Sequence, residues 1–262
     1  MCTVTIIPLT ADHPGTRLAC NRDEARRRPP ALLPQVRAYG SRRAILPIDP
    51  VSDGTWIAVN DAGLTLTLLN VYQPIENSDP PSTPSLAASS TPAAAHRSRG
   101  TIIPSLLHLS DAEQVMTQMR ALADPAHFPP FRLVAVDART VVDAYGDGNR
   151  VHLKTATRGN TPLLFTSSGL GDHIVEGPRR QLFAEYFAAG ENWLVQQDAY
   201  HRHSWPDRRH LSVCMSREKA RTVSFTVVKV TAETVTLDYH PEAPDMPAEA
   251  VSVTLPRTEW NA

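Results

Sequence analysis

Strand-length runs rich in β-branched residues recur along this chain with only short turns between many of them, and this spacing most limits its fold. CTVTIIPL is followed by the turn ADHPG and then TRLACNRD, a hairpin whose second strand ends in polar residues. GTWIAVN, DAG and LTLTLLNVY repeat the arrangement, with Gly63 where a positive φ is needed. FRLVAVDA and VVDAYGDGNRVHLK read as strand, strand and turn, and LLFTSS as a strand running into the polar corner SSGLGDH. The stretch SVCMSREKARTVSFTVVKVTAETVTLDYH reads as a run of antiparallel strands. Helical patterns are segregated from these: IIPSLLHL, DAEQVMTQMRALA with Asp111 in its first turn, and GPRRQLFAEYFA. Strands in hairpins with helices set apart define an α+β class, not an alternating βαβ one. RRRPPALLPQ reads as a crossing segment that is neither helix nor central strand. Residues 74–97 are rich in Pro, Ala and Ser and read as a mobile loop within a single domain spanning 1–262.

Charge and cysteine usage narrow the function. A net charge of -1 argues against a broad nucleic-acid-binding face, and the run Arg26-Arg27-Arg28 before two prolines reads as a solvated turn. No stretch approaches the roughly 20 apolar residues of a membrane helix. No basic region followed by an apolar one marks a secretory leader, so a cytoplasmic location is the expectation. Three scattered cysteines fit neither a disulfide framework nor a CxxC zinc site. Gly-rich phosphate loops, HExxH and GxSxG are absent from the sequence.

The residue that raises a chemical question is Cys2. Once Met1 is removed, one residue carries both a thiol and a free α-amine, and the amine can act as base for its own side chain. By position alone, Cys2 reads equally as the start of a buried strand. An α-amine titrates near about 8 and a thiol near about 8.5, so neither reactive form dominates at neutral pH without help from neighbours.

RLACNRDEARRRPP contains the tetrapeptide Asn21-Arg22-Asp23-Glu24. Together with MCTV, GTWIAVNDAGLTLTLLN, Ser98-Arg99-Gly100, FTSSGLGD and the SVCM…ARTVSF segment, it resembles the NRDE family over nearly the whole chain. That family is in turn similar to the cysteine N-terminal-nucleophile hydrolases, such as penicillin V acylases and bile-salt hydrolases. The shared features are Met-Cys-Thr, the Asn-x-Asp of Asn21 to Asp23, and the hairpin from Asn60 to Asn70. The resemblance implies a four-layer αββα sandwich with two antiparallel sheets face to face. It implies Cys2 as nucleophile, Asp23 holding its amine, the Asn70 backbone N–H as one oxyanion donor and Ser167 as the other. In those hydrolases the second donor is an asparagine, and an arginine ahead of the aspartate stabilises the thiolate, where this chain has Asn21 or Cys20.

Strand alternation leaves two arrangements open: either Asn21 and Asp23 face Cys2, or Arg22 and Glu24 do. A third reading makes the tetrapeptide a polar strand end with surface ion pairs. The function implied is an amidohydrolase or acyltransferase acting on a small amide or thioester, with no cofactor required and no nucleic-acid partner. The alternative is a non-catalytic carrier of haem, lipid or acyl-CoA on the same fold; a redox-sensing Cys2 is a third reading. His201, His203 and His210 read either as metal or haem ligands or as solvated loop residues. Cys20 and Cys214 are expected as buried strand residues, and Trp56 as core or as a substrate platform.

Overall fold

The first strand dictates how many layers the fold needs. In β1 (Cys2–Pro8), Cys2, Val4 and Ile6 turn to one face while Thr3, Thr5 and Ile7 turn to the other, and both sets are buried. A strand buried on both faces requires a covering layer on each side. The structure, a computed structural model, describes residues 2–9, 14–71, 97–122 and 125–258. Apart from Arg97, the loop expected at 74–97 lies outside them.

β1 is an inner strand, next to the edge strand β10, of a six-stranded antiparallel sheet with β2 (Thr16–Ala25), β10 (Leu163–Thr166), β11 (Ala220–Val230), β12 (Thr234–His240) and β13 (Val251–Pro256), in the order β10-β1-β2-β11-β12-β13. The second sheet runs in simple chain order through β3 (Leu32–Tyr39), β4 (Arg42–Ile48), β5 (Ile57–Asn60), β6 (Thr65–Asn70), β7 (Phe131–Val136), β8 (Thr140–Gly146) and β9 (Val151–Thr157). Between the sheets, Cys2, Val4, Ile6 and Cys20 pack against Ile45, Trp56, Val59 and Leu69. On the outer face of the first sheet, α3 (Asp172–Phe187) and α4 (Trp193–Arg202) cover Ile7 and Leu164. On the outer face of the second, α1 (Ile102–Leu106) and α2 (Ala112–Arg120) cover Leu46, Leu66 and Leu133. The order is helix, sheet, sheet, helix, the α+β architecture expected. Among the described residues no helix is long and apolar enough to cross a membrane.

As expected, the proline-rich segment is neither helix nor central strand: it runs into β3, an edge strand, where Pro34 costs no shared ladder bond. Three local expectations are corrected. Asp111 is the N-cap of α2, its carboxylate accepting from the Gln114 N–H at 2.8 Å, and so precedes the first turn. Residues 199–202 belong to α4: its buried face carries Gln197, Tyr200 and His201, so apolar periodicity could not reveal it. Cys214 is buried but lies outside the strands.

Candidate active site

Pairing register settles which side chains face Cys2. In an antiparallel ladder, residues directly opposite share a face. Cys2 lies opposite Arg22 and Thr3 opposite Asn21, so Arg22 stands beside the thiol between the sheets while Asn21 points to the helix layer. There the Asn21 Nδ2 donates to the carbonyls of His201 and Val213, each at 2.9 Å, and its Oδ1 accepts from His201 Nδ1 at 2.9 Å. Asn21 therefore ties β2 to α4 and is removed from the set around Cys2, because alternation turns it away.

Arg22 is held rigidly. Its Nη2 lies 2.6 Å from Asp49 Oδ2, and its guanidinium carbon is 4.2 Å from the centre of the Trp56 ring. Arg28 grips the same carboxylate through two bonds of 2.9 Å. Burial would raise the Asp49 carboxyl, but Arg28 and Arg22 outweigh it and hold it below the usual range. Arg28, read as part of a solvated turn, thus belongs to the wall of the site, and Arg22 is no surface ion pair.

The nitrogen of Cys2 donates to Ser167 Oγ at 3.3 Å, and the Ser167 N–H donates back to the Cys2 carbonyl at 3.0 Å. Ser167 was expected to meet an oxyanion; its hydroxyl instead lies at the position of the α-amine. Asp23 is one residue beyond Arg22, the ladder partner of Cys2, and so stands at the amine end of Cys2. Its Oδ1 accepts from the Thr222 hydroxyl at 2.6 Å, while Oδ2 is buried with no partner among the described residues. Burial raises the Asp23 carboxyl, opposed chiefly by the charge of Arg179. On the thiol side, a hydrogen bond from Cys20 lowers the Cys2 pKa against burial, and Arg22 adds to the effect. The Cys20 thiol is correspondingly raised, and burial pushes Cys214 up to about 12.

Cys2 opens into a cavity of about 400 Å³ whose wall includes Arg22, Asp23, Trp56, Leu68, Asn70 and Arg99. The Leu68 N–H donates to the Trp56 carbonyl at 2.8 Å. Two residues on, the Asn70 N–H points the same way, past the end of β5, where no ladder partner stands among the described residues. Trp56 is core and wall at once, packing on Tyr239 with ring centres 6.3 Å apart. Gly100 of the Ser-Arg-Gly stretch lies flat on Gly54, and its carbonyl accepts from the Thr55 N–H at 3.0 Å. That contact explains why the two distant motifs belong together.

The histidines are separate from this cavity. His201 is fully buried, with Nε2 on Thr5 Oγ1 at 2.7 Å and Nδ1 on Asn21, so neither a solvated ring nor an open ligand nitrogen describes it. Among the described residues no group of three or more His, Cys, Asp or Glu side chains is placed to hold a metal ion. Sequence reasoning missed Asp49, Thr222 and Arg179, which carry no motif and meet the site only through pairing and packing.

Fold and site together define a class: a two-sheet α+β sandwich with a cysteine at the head of an inner strand, opening into an inter-sheet cavity. The chain belongs to the Transport and Golgi organisation 2 (TANGO2) family, whose profile matches residues 1–178. Among solved structures it is similar to an N-acylethanolamine-hydrolyzing acid amidase ortholog from Caenorhabditis elegans, at 11% identity over 93% of this chain and 94% of that one, with a TM-score of 0.49. It is also similar to two variants of conjugated bile acid hydrolase from Clostridium perfringens, each at 12% identity. One covers 99% of both chains with a TM-score of 0.48; the other covers 100% of this chain and 97% of that one with a TM-score of 0.44. At such scores the reading of the site rests on its own geometry. No curated protein matches the sequence.

Proposed function

We propose that the protein is an N-terminal cysteine amidohydrolase or acyltransferase acting on a small amide or thioester. The observation that carries this reading is the double environment of Cys2. Its nitrogen meets Ser167 Oγ with the open oxygen of Asp23 at the same end, and its side chain shares a face with the fixed guanidinium of Arg22. With Met1 removed, the neutral amine takes the thiol proton, and the thiolate, supported by Arg22 and the Cys20 thiol, attacks the substrate carbonyl carbon. The oxyanion that forms is met by the Asn70 N–H. Collapse breaks the bond to the leaving amine or thiol, which takes the proton back from the α-ammonium. Water or an acceptor nucleophile then releases the acyl group from Cys2. A cavity of about 400 Å³ suits a small acyl donor.

The test is intact mass spectrometry before and after treatment with a lactone or activated acyl electrophile. Loss of Met1 and a single stoichiometric adduct at Cys2, abolished in Cys2→Ala, are expected. Retained Met1, or labelling no faster than that of a free thiol in solution, refutes the reading. Titration with haem and acyl-CoA would then examine a carrier role.

A further inference from the structure

Arg179, midway along α3, is fully buried and has an unusual set of partners. Its Nε donates to the Leu211 carbonyl at 2.9 Å and its Nη2 to the Ser212 carbonyl at 2.7 Å. Its Nη1 donates to Thr3 Oγ1 at 2.9 Å and to Thr166 Oγ1 at 2.7 Å. Every acceptor is neutral, and no carboxylate stands within ion-pair distance among the described residues. A buried charge is expensive unless an opposite charge answers it. Neutral oxygens satisfy the N–H groups but leave the charge in place.

The position of that charge is informative. Thr3 follows Cys2 and Thr166 precedes Ser167, so the guanidinium is anchored to both residues flanking the contact between the Cys2 nitrogen and Ser167. The acidic charge that acts on it most strongly is Asp23, itself buried with one oxygen open. A carboxylate beside an amine holds a proton on it, which would remove the base that the nucleophile needs. A fixed cation acting on the carboxylate offsets that bias.

We propose that Arg179 is a positioning residue whose permanent charge offsets Asp23 and keeps the Cys2 amine unprotonated near neutral pH. This rests on the proposed role of Cys2 as nucleophile. An arginine suits the task because burial cannot discharge it, as it can a lysine. Other groups bear on the same region. Arg217 acts on Asp23 from the segment before β11, and Asp172 in α3 and Tyr200 in α4 face Arg179. Arg22 and Cys20 act on the thiol from the other face of the sheet. Of these, Arg179 is the cation that is both fully buried and bonded to the neighbours of the amine.

The experiment is the pH profile of Cys2 acylation by a p-nitrophenyl ester, using protein with Met1 removed and the adduct located by mass. In Arg179→Gln and Arg179→Met the acid limb should move up by about one unit or more. At a pH one unit below the wild-type midpoint the rate should then fall about tenfold, with the alkaline plateau changed far less. Methionine fills the space of the stem without a charge, which protects the test against a folding defect in the glutamine variant. A purely structural role would lower the plateau and leave the limb where it was, and an unmoved limb in both neutral variants overturns the proposal. Wild-type protein whose Cys2 is not acylated at any pH refutes the nucleophile reading itself, a result distinct from an unmoved limb.

Discussion

His201 makes the stability of this fold depend on acid in a way that can be worked out from its contacts. Asn21 uses both Nδ2 hydrogens on carbonyls, so its Oδ1 must accept, and the His201 proton is assigned to Nδ1. Nε2 then accepts from the Thr5 hydroxyl, and the ring is neutral. Burial, reinforced by the charge of Arg17, holds its pKa down to about 3, against about 6.5 in the unfolded chain. A depressed folded pKa means that the unfolded state binds the proton first, so stability is full above the unfolded value and is lost as the pH falls below it. At 1.36 kcal/mol per unit, the loss between about pH 7.5 and about pH 5 is about 2 kcal/mol from this residue alone. The assay is urea unfolding of wild type and His201→Gln at both pH values. Glutamine keeps a donor and an acceptor but does not titrate, and every other ionisable group cancels in the difference. Wild type should lose about 2 kcal/mol more than the variant. A difference below about 0.5 kcal/mol would show that His201 is not held neutral, and the tautomer and bonds assigned to it would be wrong.

Other outcomes follow from single contacts. Gly54→Ala places a Cβ 2.5 Å from the backbone of Gly100, so thermal denaturation should show a loss of about 1–3 kcal/mol, and an unchanged melting temperature would refute the close approach. Asp49→Ala removes the short ion pair of the buried Arg22 and leaves it only the longer contact with Glu24 at 3.6 Å, at a cost of about 3 kcal/mol in urea unfolding; a loss under about 1 kcal/mol would mean that the triad with Arg28 is not formed. In the native protein, iodoacetamide near neutral pH should label Cys2 well ahead of Cys20 and Cys214, whose thiols are raised; equal labelling would contradict that ordering.

Much of the fold was legible because strand runs and turn residues announce themselves locally. CTVTIIPL, GTWIAVN and LTLTLLN became β1, β5 and β6, with Gly63 at a φ of 89° in the turn between the last two. What escaped was governed by distant packing. β3 and β4 form a hairpin inside and beyond a proline-rich stretch because an edge strand tolerates proline. The buried face of α4 is polar because it meets Arg17, Asn21 and Thr5 from the sheet, and nothing in a local window reveals that partnership. The site was legible as residue types but not as orientation. Asn21 and Arg22 are adjacent in sequence and point to opposite sides, and only the pairing of β1 with β2 decides which one meets the thiol. The contact of the Ser167 hydroxyl with the Cys2 nitrogen was not readable either, since it depends on how the end of β10 meets the start of β1.

The Asn-Arg-Asp-Glu stretch is best understood as a device with two faces. On the outer face, Asn21 fixes β2 to α4 through two hydrogen bonds with His201 and to the following segment through a third with Val213, which locks the register that every neighbouring assignment depends on. One step along, Arg22 is delivered beside the thiol, and it cannot swing away because Asp49 and Trp56 hold it. The next step returns to the outer face with Asp23, bonded to Thr222 on one oxygen and open on the other. Glu24 then turns back toward Arg22 and Arg28 at the cavity wall, at 3.6 and 3.7 Å. Neither Cys20 nor Asn21 is basic, but the charge of Arg22 beside the thiol lowers its pKa, as the proposed thiolate would require. Sliding β2 by one residue would exchange the faces, placing Asn21 or Asp23 beside the sulfur and pointing a guanidinium at the helix layer where Arg179 already stands. Like charges would meet on one side and a carboxylate would face the thiol on the other, so the electrostatics of the site and the register of the sheet select the same alignment.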